Sequence, residues 1–446
     1  MDKHYVDAVQ WIQSREQFGS RPGLHRIEWL LQELGNPHHD LNVIHIAGTN
    51  GKGSTVSYLK ELLQNSGLNV GTFISPSIET FNDRICINGC RIPNDAIASL
   101  VNRLRPIVEQ MDQDETVSGL TEFELVTAMM FVYFKESPVD VAVIEVGLGG
   151  LLDSTNVVQP QICGITTIGL DHIQVLGDSI EAIAEQKAGI IKPQSTVVTG
   201  HITAPALKVI EDQAARVGAQ LYQYNQDYKV EHIISELFKE YFSFSNEHWR
   251  FPILNTSMLG KHQVENAGLA LQIWLLYMEI HQQPVDKDIV RTSLNDAFMP
   301  GRMEVLAERP LVLVDGAHNV PAMERLANNV QDMYTNEDDR TLFILFSAIE
   351  TKDVSGMIDL LDHLPNTELV LTSFEDPRAI ATQDFIASCP DSIHVEQSWE
   401  AAIKLLLNKM HDDDVLLITG SLYFIAEVRL TIKNLLECHK DKIRVV

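Results

Sequence analysis

The alternation of short β-branched runs with helical patterns constrains this chain more than any other feature. Residues 42–47 (NVIHIA) read as a buried strand and residues 52–65 as a helix closed by Gly67. Residues 70–75, 139–146 (VDVAVIEV), 162–168 and 196–199 read as further strands, with a helix over 121–135. Such alternation predicts an α/β fold, a mainly parallel sheet flanked by helices. The polar, aromatic stretch 221–252 reads as an antiparallel edge or an insertion. A second series follows Met299-Pro300-Gly301, with strands expected at 311–314, 341–346, 368–372 and 415–419. It predicts a smaller, Rossmann-like α/β domain at the C-terminal end. At 446 residues the chain exceeds one ordinary core. The Pro-Gly pair is the expected hinge, dividing residues 1–298 from 299–446. There is no internal repeat or low-complexity segment.

Between the first strand and its helix lies Gly48-Thr49-Asn50-Gly51-Lys52-Gly53-Ser54-Thr55. Glycines at such a junction let backbone N–H groups turn around phosphate oxygens, and the helix N-terminus adds a favourable dipole. This makes Asn50, Gly51, Lys52 and Gly53 candidates for nucleotide phosphates, with the Lys52 ammonium reaching the β- and γ-phosphates. Ser54 supplies a hydroxyl for Mg²⁺. The spacing departs from GxxxxGK[ST], because Gly53 separates Lys52 from Ser54. An ordinary glycine-rich turn is the bland alternative, but such turns seldom combine a lysine with paired hydroxyls after a buried strand.

Composition narrows the function class. Lys plus Arg number 34 against 61 Asp plus Glu, a formal charge of −27, and no basic run occurs. That argues against a nucleic-acid partner. It also means that a site for anionic substrates must supply its own local cations. No apolar run approaches the ~20 residues of a membrane helix. The N-terminal segment reads as an amphipathic helix, not a secretion signal. A cytoplasmic monomer without membrane partners is therefore expected. Cys86, Cys90, Cys163, Cys389 and Cys438 lack CxxC spacing, so buried thiols are expected ahead of disulfides or zinc.

The segment AGTNGKGS resembles the phosphate loop of the Mur ligase superfamily of amide-forming ATP ligases. Further segments narrow the resemblance to the folylpolyglutamate synthase/dihydrofolate synthase family. They are SPSIETFNDRI (75–85), TEFE (121–124), EVGLGGLLDSTN (145–156), GLDHIQVLG (169–177), EQKAGIIK (185–192) and HQVENA (262–267). PGRME (300–304), DGAHN (315–319) and ITGSLYF (418–424) continue the series, in the family's order across essentially the whole chain. The resemblance implies a Mur ligase central-domain-like first domain and a C-terminal ligase domain that contributes to the nucleotide and glutamate sites.

By that resemblance Ser54, Ser75 and Glu145 hold one Mg²⁺, and His172 ligates a second metal together with a carbamylated Lys187. Asn266 contacts ATP from the first domain, Arg302 and Asp315 from the second, and closure of the domains would assemble the site. His318 is a candidate catalytic residue of unassigned role, beside Lys52, Lys187 and His172. The dihydropteroate pocket is expected from Gly23, Leu24, His25 and Arg26, from Thr121, Glu122, Phe123 and Glu124, and from Leu152, Asp153 and Ser154. Phe123 could stack on the pterin and Glu124 could take its amino edge; the loop 75–84 would border this pocket. Each position has a structural alternative. Glu145 could be a solvated strand-end acid, and His172 a loop histidine bonded to Asp171. Lys187 could be a surface or phosphate-binding lysine, Arg302 a hinge-surface charge, Asp315 a helix N-cap and Phe123 plain core. Three departures from the family pattern stand out: Leu151 for arginine, Gln186 for glutamate, and Ser77 for histidine or tyrosine.

The activity implied is ATP-dependent addition of L-glutamate to dihydropteroate and to the γ-carboxylate of reduced folates, through an acyl phosphate. TEFE resembles bacterial members with both activities. The alternatives are a folylpolyglutamate synthase alone, a cell-wall Mur ligase, or a P-loop protein that hydrolyses nucleotide without ligation. A phosphate loop near residue 47 leaves little room for the N-terminal domain of cell-wall enzymes, and no NKxD element marks a guanine-nucleotide switch.

Overall fold

The computed structural model describes residues 3–236, 238–334, 340–350, 352–388, 393–438 and 444–445. The chain divides into two compact units. The first comprises Met1–Ile233, Tyr241–Ser257 and Gln263–Phe298; the second comprises Ile234–Glu240, Met258–His262 and Met299–Val446.

In the first unit β1 (Val43–Ala47), β2 (Val70–Phe73), β3 (Ile85–Ile87), β4 (Cys90–Arg91), β5 (Val141–Glu145), β6 (Ile162–Ile165), β7 (Thr196–Thr199) and β8 (Gln220–Gln223) form one sheet. Its order is β4-β3-β2-β5-β1-β6-β7-β8, antiparallel only at the β2-β3-β4 edge. Every residue of β1, β2, β5 and β6 is buried, as expected of parallel strands covered on both faces. Helices Asn94–Met111 and Glu122–Glu136 pack Leu104, Val108, Phe131 and Phe134 into one core with Phe73 and Ile144. Helix Lys261–Ile280 lies over β6, where a methyl group at Gly164 would press on Ile46 and Ile273.

Sheet order decides where the site can be. β1 lies between β5 and β6, pairing Ile46 with Glu145 and Ala47 with Ile165. The carboxyl ends of β2, β5, β1 and β6 are therefore consecutive along one edge. Their loops carry Ser75, Glu145, residues 48–53 and residues 166–172, the place where open α/β sheets hold ligands. The strands expected at 70–75, 139–146 and 162–168 stop at Phe73, Glu145 and Ile165 because the later residues leave the ladder to build these loops.

The start of the stretch 221–252 needs correction, while the rest follows the insertion alternative. Residues 220–223 are no antiparallel edge but extend the main sheet parallel to β7. The rest forms a separate three-stranded sheet of β9 (Tyr228–Glu236), β10 (Lys239–Asn246) and β11 (Arg250–Thr256). Gly67 follows the true helix cap, Ser66, and takes the left-handed conformation with φ +88°. The buried-thiol reading holds for Cys163; Cys86 is half-buried and Cys90, at the edge strand β4, is exposed. Cys389 and the side chain of Cys438 lie outside the described residues.

The second unit is a sheet in the order β16-β15-β14-β17-β13-β12-β18. The strands are β12 (Glu304–Arg309), β13 (Leu311–Val314), β14 (Leu342–Phe346), β15 (Thr367–Leu371), β16 (His394–Val395), β17 (Val415–Thr419) and β18 (Arg444–Val445). β12 runs antiparallel to both neighbours and the rest are parallel. Among the described residues no helix is long and apolar enough to cross a membrane.

At the start of β12 the buried Glu304 carboxylate accepts two hydrogen bonds from Arg429, at 2.6 and 2.7 Å, with Lys433 3.0 Å away. Burial alone would raise the Glu304 pKa, but Arg429, the Gly301 amide and Lys433 together hold it below the usual value. Its contribution to stability is therefore complete above the unfolded pKa and is lost as pH falls through the depressed folded value. Glu304→Ala, which strands a buried guanidinium, should cost about 3–5 kcal/mol in urea unfolding. Glu304→Gln should flatten the acid limb of stability against pH; an unchanged limb would contradict this account.

Candidate active site

The glycine-rich loop is held open by its neighbour strand. Thr49 N–H donates to the Thr167 carbonyl at 2.8 Å, and the Thr49 hydroxyl exchanges hydrogen bonds with Gly169 at 3.0 and 3.1 Å. The Asn50 carbonyl accepts from the hydroxyls of Thr166 and Thr167, at 2.5 and 3.1 Å, while Asn50 N–H donates to Thr167 Oγ1. Gly51 caps the following helix with φ +89°, and a methyl group there would collide with the Asn266 amide. Asn266 is buried and donates to Gln263. The structure thus brings Asn50, Gly51, Lys52, Gly53, Ser54 and Asn266 together. Lys52 Nζ donates to the Gly48 carbonyl at 3.0 Å and the Thr49 carbonyl at 3.4 Å, folded back over the loop.

Beside the loop the buried Glu145 ends β5 and accepts from the Ser75 amide at 3.4 Å. Ser54, also buried, lies in the first turn of the loop's helix. These are oxygen donors of the kind Mg²⁺ prefers, and a metal there would complete its shell with water and phosphate oxygens. Among the described residues no group of three His, Cys, Asp or Glu side chains could hold a metal alone. The hydroxyls of Ser54 and Ser75 and the Glu145 carboxylate are a donor set that fits Mg²⁺.

Lys187, in helix Ile180–Ala188, is only 3% exposed. Burial, with the positive charge of Lys52 nearby, lowers its pKa to about 7, against the pull of Asp171 and Asp153. This is no surface lysine: near neutral pH much of it is an uncharged amine. His172 takes a left-handed backbone, φ 50°, and its ring is largely exposed, 3.8 Å from Asp171. Asp171 thus faces both the histidine next to it and Lys187.

On the far side of Glu145, the Phe123 ring packs against the Gly147 backbone, where a methyl group would overlap it. Phe123 is half-buried, 5.8 Å from the Phe73 ring and beneath Arg84, which pairs with Glu122. Glu124 differs from expectation. Its carboxylate accepts from Arg26 at 2.9 and 3.1 Å and from the Thr121 amide at 2.8 Å, closing a capping box. It is already committed, which makes it a holder of Arg26 and a poor hydrogen-bond partner for a pterin edge. Asp153 is equally occupied, accepting from the amides of Leu148 and Thr155 and from the Thr155 hydroxyl. Gly23 N–H donates to the Leu152 carbonyl at 3.3 Å, so residues 23–26 and 152–154 share one wall; Leu152 is exposed there, Ser154 buried. Arg26 also contacts the His25 ring, at 3.3 Å, and the carbonyl of Arg21; Leu24 precedes the helix His25–Glu33.

In the second unit, Asp315 follows β13 and is buried, accepting from the amides of Met303 and Ala317, both at 2.8 Å. Burial raises its pKa and Arg302, beside it, works against the rise. The N-cap alternative fails, because Asn319 caps the helix Val320–Tyr334 through the Ala322 amide. His318 Nδ1 donates to the Gly316 carbonyl at 2.8 Å, which fixes its tautomer.

Several residues that organise the site carried no sequence motif. Thr166 and Thr167 do most to shape the loop, and a hydroxyl pair right after a buried strand was their only signal. His45, inside β1, bonds Thr155 at 2.8 Å and so braces Asp153 from within the sheet.

Two family descriptions match the chain: Mur ligase middle domain over residues 97–274, and Mur ligase, glutamate ligase domain over residues 301–422. The dihydrofolate synthase/folylpolyglutamate synthase of Bacillus subtilis is 39% identical, covering 96% of this chain and 99% of its own. A solved Mycobacterium tuberculosis folylpolyglutamate synthase, complexed with ADP and AMPPCP, aligns with TM-score 0.87 at 28% identity over 96% and 98% of the two chains. An FPGS–AMPPCP–folate complex aligns with TM-score 0.82 at 33% identity over 96% and 99%. Likeness of this extent, spanning both units, makes the chain a member of the folylpolyglutamate synthase/dihydrofolate synthase family of Mur ligases.

Proposed function

We infer that this protein is an ATP-dependent carboxylate–amine ligase. It adds L-glutamate to dihydropteroate, forming dihydrofolate, and to the γ-carboxylate of reduced folates, forming folylpolyglutamates. The observation that carries the reading is the loop at residues 48–54, built for phosphates and placed at one sheet edge beside Glu145, Ser75 and the buried Lys187. Solved relatives bind AMPPCP, and one binds AMPPCP with folate, which supports ATP and a folate as the substrates.

In the proposed reaction the substrate carboxylate attacks the γ-phosphorus of ATP and expels ADP, and the amine of glutamate then attacks the acyl phosphate, releasing phosphate and a proton as the amide forms. No protein nucleophile is needed; positioning and charge stabilisation carry the rate. Asn50 and the amides of Gly51 and Gly53 border the phosphate oxygens while Lys52 leaves the loop carbonyls for the β- and γ-phosphates. Ser54, Ser75 and Glu145 hold Mg²⁺, which neutralises phosphate charge when bound. We assign Lys187 to carbamylation: an amine must be neutral to capture CO₂, and a pKa of about 7 provides that form. The carbamate would join His172 as a metal ligand.

Gly23, Leu24, His25, Arg26, Phe123, Leu152 and Ser154 are assigned to the pteroate wall, with Thr121, Glu122, Glu124 and Asp153 holding that wall in shape. In the C-terminal part of the chain, residues 299–446, Arg302 and Asp315 are assigned to the nucleotide and His318 to the reacting groups. We place the enzyme in the cytoplasm as a monomer, with no nucleic acid or membrane partner.

ADP formation that depends on glutamate, measured with dihydropteroate and separately with tetrahydrofolate, tests the reading. Both substrates should support turnover; ADP release indifferent to glutamate would sink it. Lys52→Ala should lower ATP turnover at least about 100-fold with the fold intact. Lys187→Met should abolish ligation yet stabilise the ligand-free protein. The folded pKa of Lys187 lies below its unfolded value, so burying the lysine is costliest at and below about pH 7 and less so as pH rises towards about 10. A mutant no more stable than wild type at pH 7 would show the lysine is not desolvated.

A further inference from the structure

Strand β1 reads VIHIA, and His45 is its one polar side chain although the strand is buried on both faces. Ile46 meets Ile273 over Gly164, and the alternation of a strand turns His45 to the opposite face. The imidazole is fully buried, and burial, with the charge of Lys192 adding to it, lowers its pKa to about 3. It is uncharged near neutral pH. Its Nε2 lies 2.8 Å from Thr155 Oγ1, while Nδ1 has no hydrogen-bond partner among the described residues. The Thr155 hydroxyl gives its single proton to Asp153 Oδ1 at 2.5 Å, so Thr155 Oγ1 accepts from His45 and Nε2 carries the hydrogen. Nδ1 is then a bare acceptor in the core, which opposes folding. An apolar residue would suit β1 better as a strand. What the imidazole adds is one directed N–H.

That N–H starts a relay. Burial pushes the Asp153 carboxyl up, and the Thr155 hydroxyl leads the groups that oppose the rise, ahead of the amides of Leu148, Thr155 and Gly147. Asp153 accepts from Leu148 N–H through Oδ2 at 2.8 Å and from Thr155 N–H through Oδ1 at 3.0 Å. The carboxylate therefore ties the turn after Glu145 to the head of the 3₁₀ turn Ser154–Val157. Phe123 rests on Gly147, and the carbonyl of Leu152, beside Asp153, accepts from the Gly23 amide at 3.3 Å. Phe123, Gly23 and Leu152 all belong to the wall assigned to the pteroate.

The phosphate loop begins directly after the same strand, yet its hydrogen bonds run to Thr166, Thr167 and Gly169. Two networks thus leave β1, one from its end to the phosphate loop and one from the His45 side chain to the pteroate wall.

We propose that His45 is a positioning residue for the folate-type acceptor: its Nε2–H aims the Thr155 hydroxyl at Asp153, and Asp153 in turn fixes the Gly147–Leu148 turn and the Leu152–Ser154 wall. This role rests on the ATP-ligase reading and adds to it a residue of the phosphate-loop strand that serves the other substrate.

Steady-state kinetics of the full chain test it, with KM measured for dihydropteroate and for ATP and the melting temperature of each variant recording its fold. His45→Phe keeps a ring without the N–H, His45→Gln returns an N–H near the place of Nε2, and Thr155→Val removes only a hydroxyl. His45→Phe and Thr155→Val should each raise KM for dihydropteroate by about tenfold, with KM for ATP within about twofold of wild type. His45→Gln should recover most of the loss. The double variant His45→Phe/Thr155→Val should be no worse than the worse single one, because both break the same relay. An unchanged KM for dihydropteroate in either single variant would overturn the role. So would additive losses in the double variant, or a matching rise in KM for ATP, which general loosening of β1 beneath the phosphate loop would produce. Thr155→Val keeps the test decisive if His45→Phe does not fold. Failure of the ligase reading is distinguishable, since the wild-type enzyme would then form no ADP that depends on dihydropteroate and glutamate.

Discussion

The hydrogen bonds that Thr166 and Thr167 give the Asn50 carbonyl hold the rest of the site in place. A glycine-rich turn is cheap to deform, and its amides would otherwise close on its own carbonyls. Here the hydroxyls that follow β6 take the Asn50 carbonyl, and Thr167 also accepts from the Thr49 and Asn50 amides. The turn is thus pinned on one side, and the Gly51–Gly53 end, where the helix begins, is left to face an anion. Asn266 then packs on Gly51 from the opposite side and leaves no room for a side chain there. The loop is shaped before any ligand arrives, which lowers the cost of ordering it on binding.

Charge explains the remainder. The chain carries a formal −27, yet its proposed substrates are polyanions. It meets this by gathering cations locally: the buried Lys187, the half-buried Lys52 near it, and the buried Arg26 paired with Glu124. Two lysines that repel one another, one of them buried, make a poor stability element. They make a good device for a site that must lose a proton from one of them and offer the other to phosphate. The folded protein bears that repulsion until a ligand arrives.

Much of this was legible in the sequence, and the reasons are physical. Parallel strands buried on both faces leave near-continuous apolar runs, so β1, β5, β7, β13 and β17 were visible, as was the helix Lys52–Asn65. The phosphate loop was visible because glycine, lysine and hydroxyls rarely coincide after such a run. Side-chain commitments were not visible. The sequence shows Glu124 three residues after Thr121 but not that Arg26, nearly a hundred residues away, takes the same carboxylate. Nor does it show that Asp315 serves two backbone amides, or that residues 220–223 pair parallel with β7. Long-range partners are set by packing, and local patterns do not encode them. Thr166 and Thr167 stayed hidden for that reason.

The central claim is that the loop over residues 48–54 holds the triphosphate beside Glu145 and Ser75. A crystal structure of the protein with Mg²⁺ and a non-hydrolysable ATP analogue tests it most directly. The account predicts phosphate oxygens on the amides of Gly51 to Gly53 beside Asn50, Lys52 turned away from the Gly48 carbonyl, and a metal among Ser54, Ser75 and Glu145. A triphosphate lodged elsewhere, with Lys52 still bound to the loop carbonyls, would contradict it.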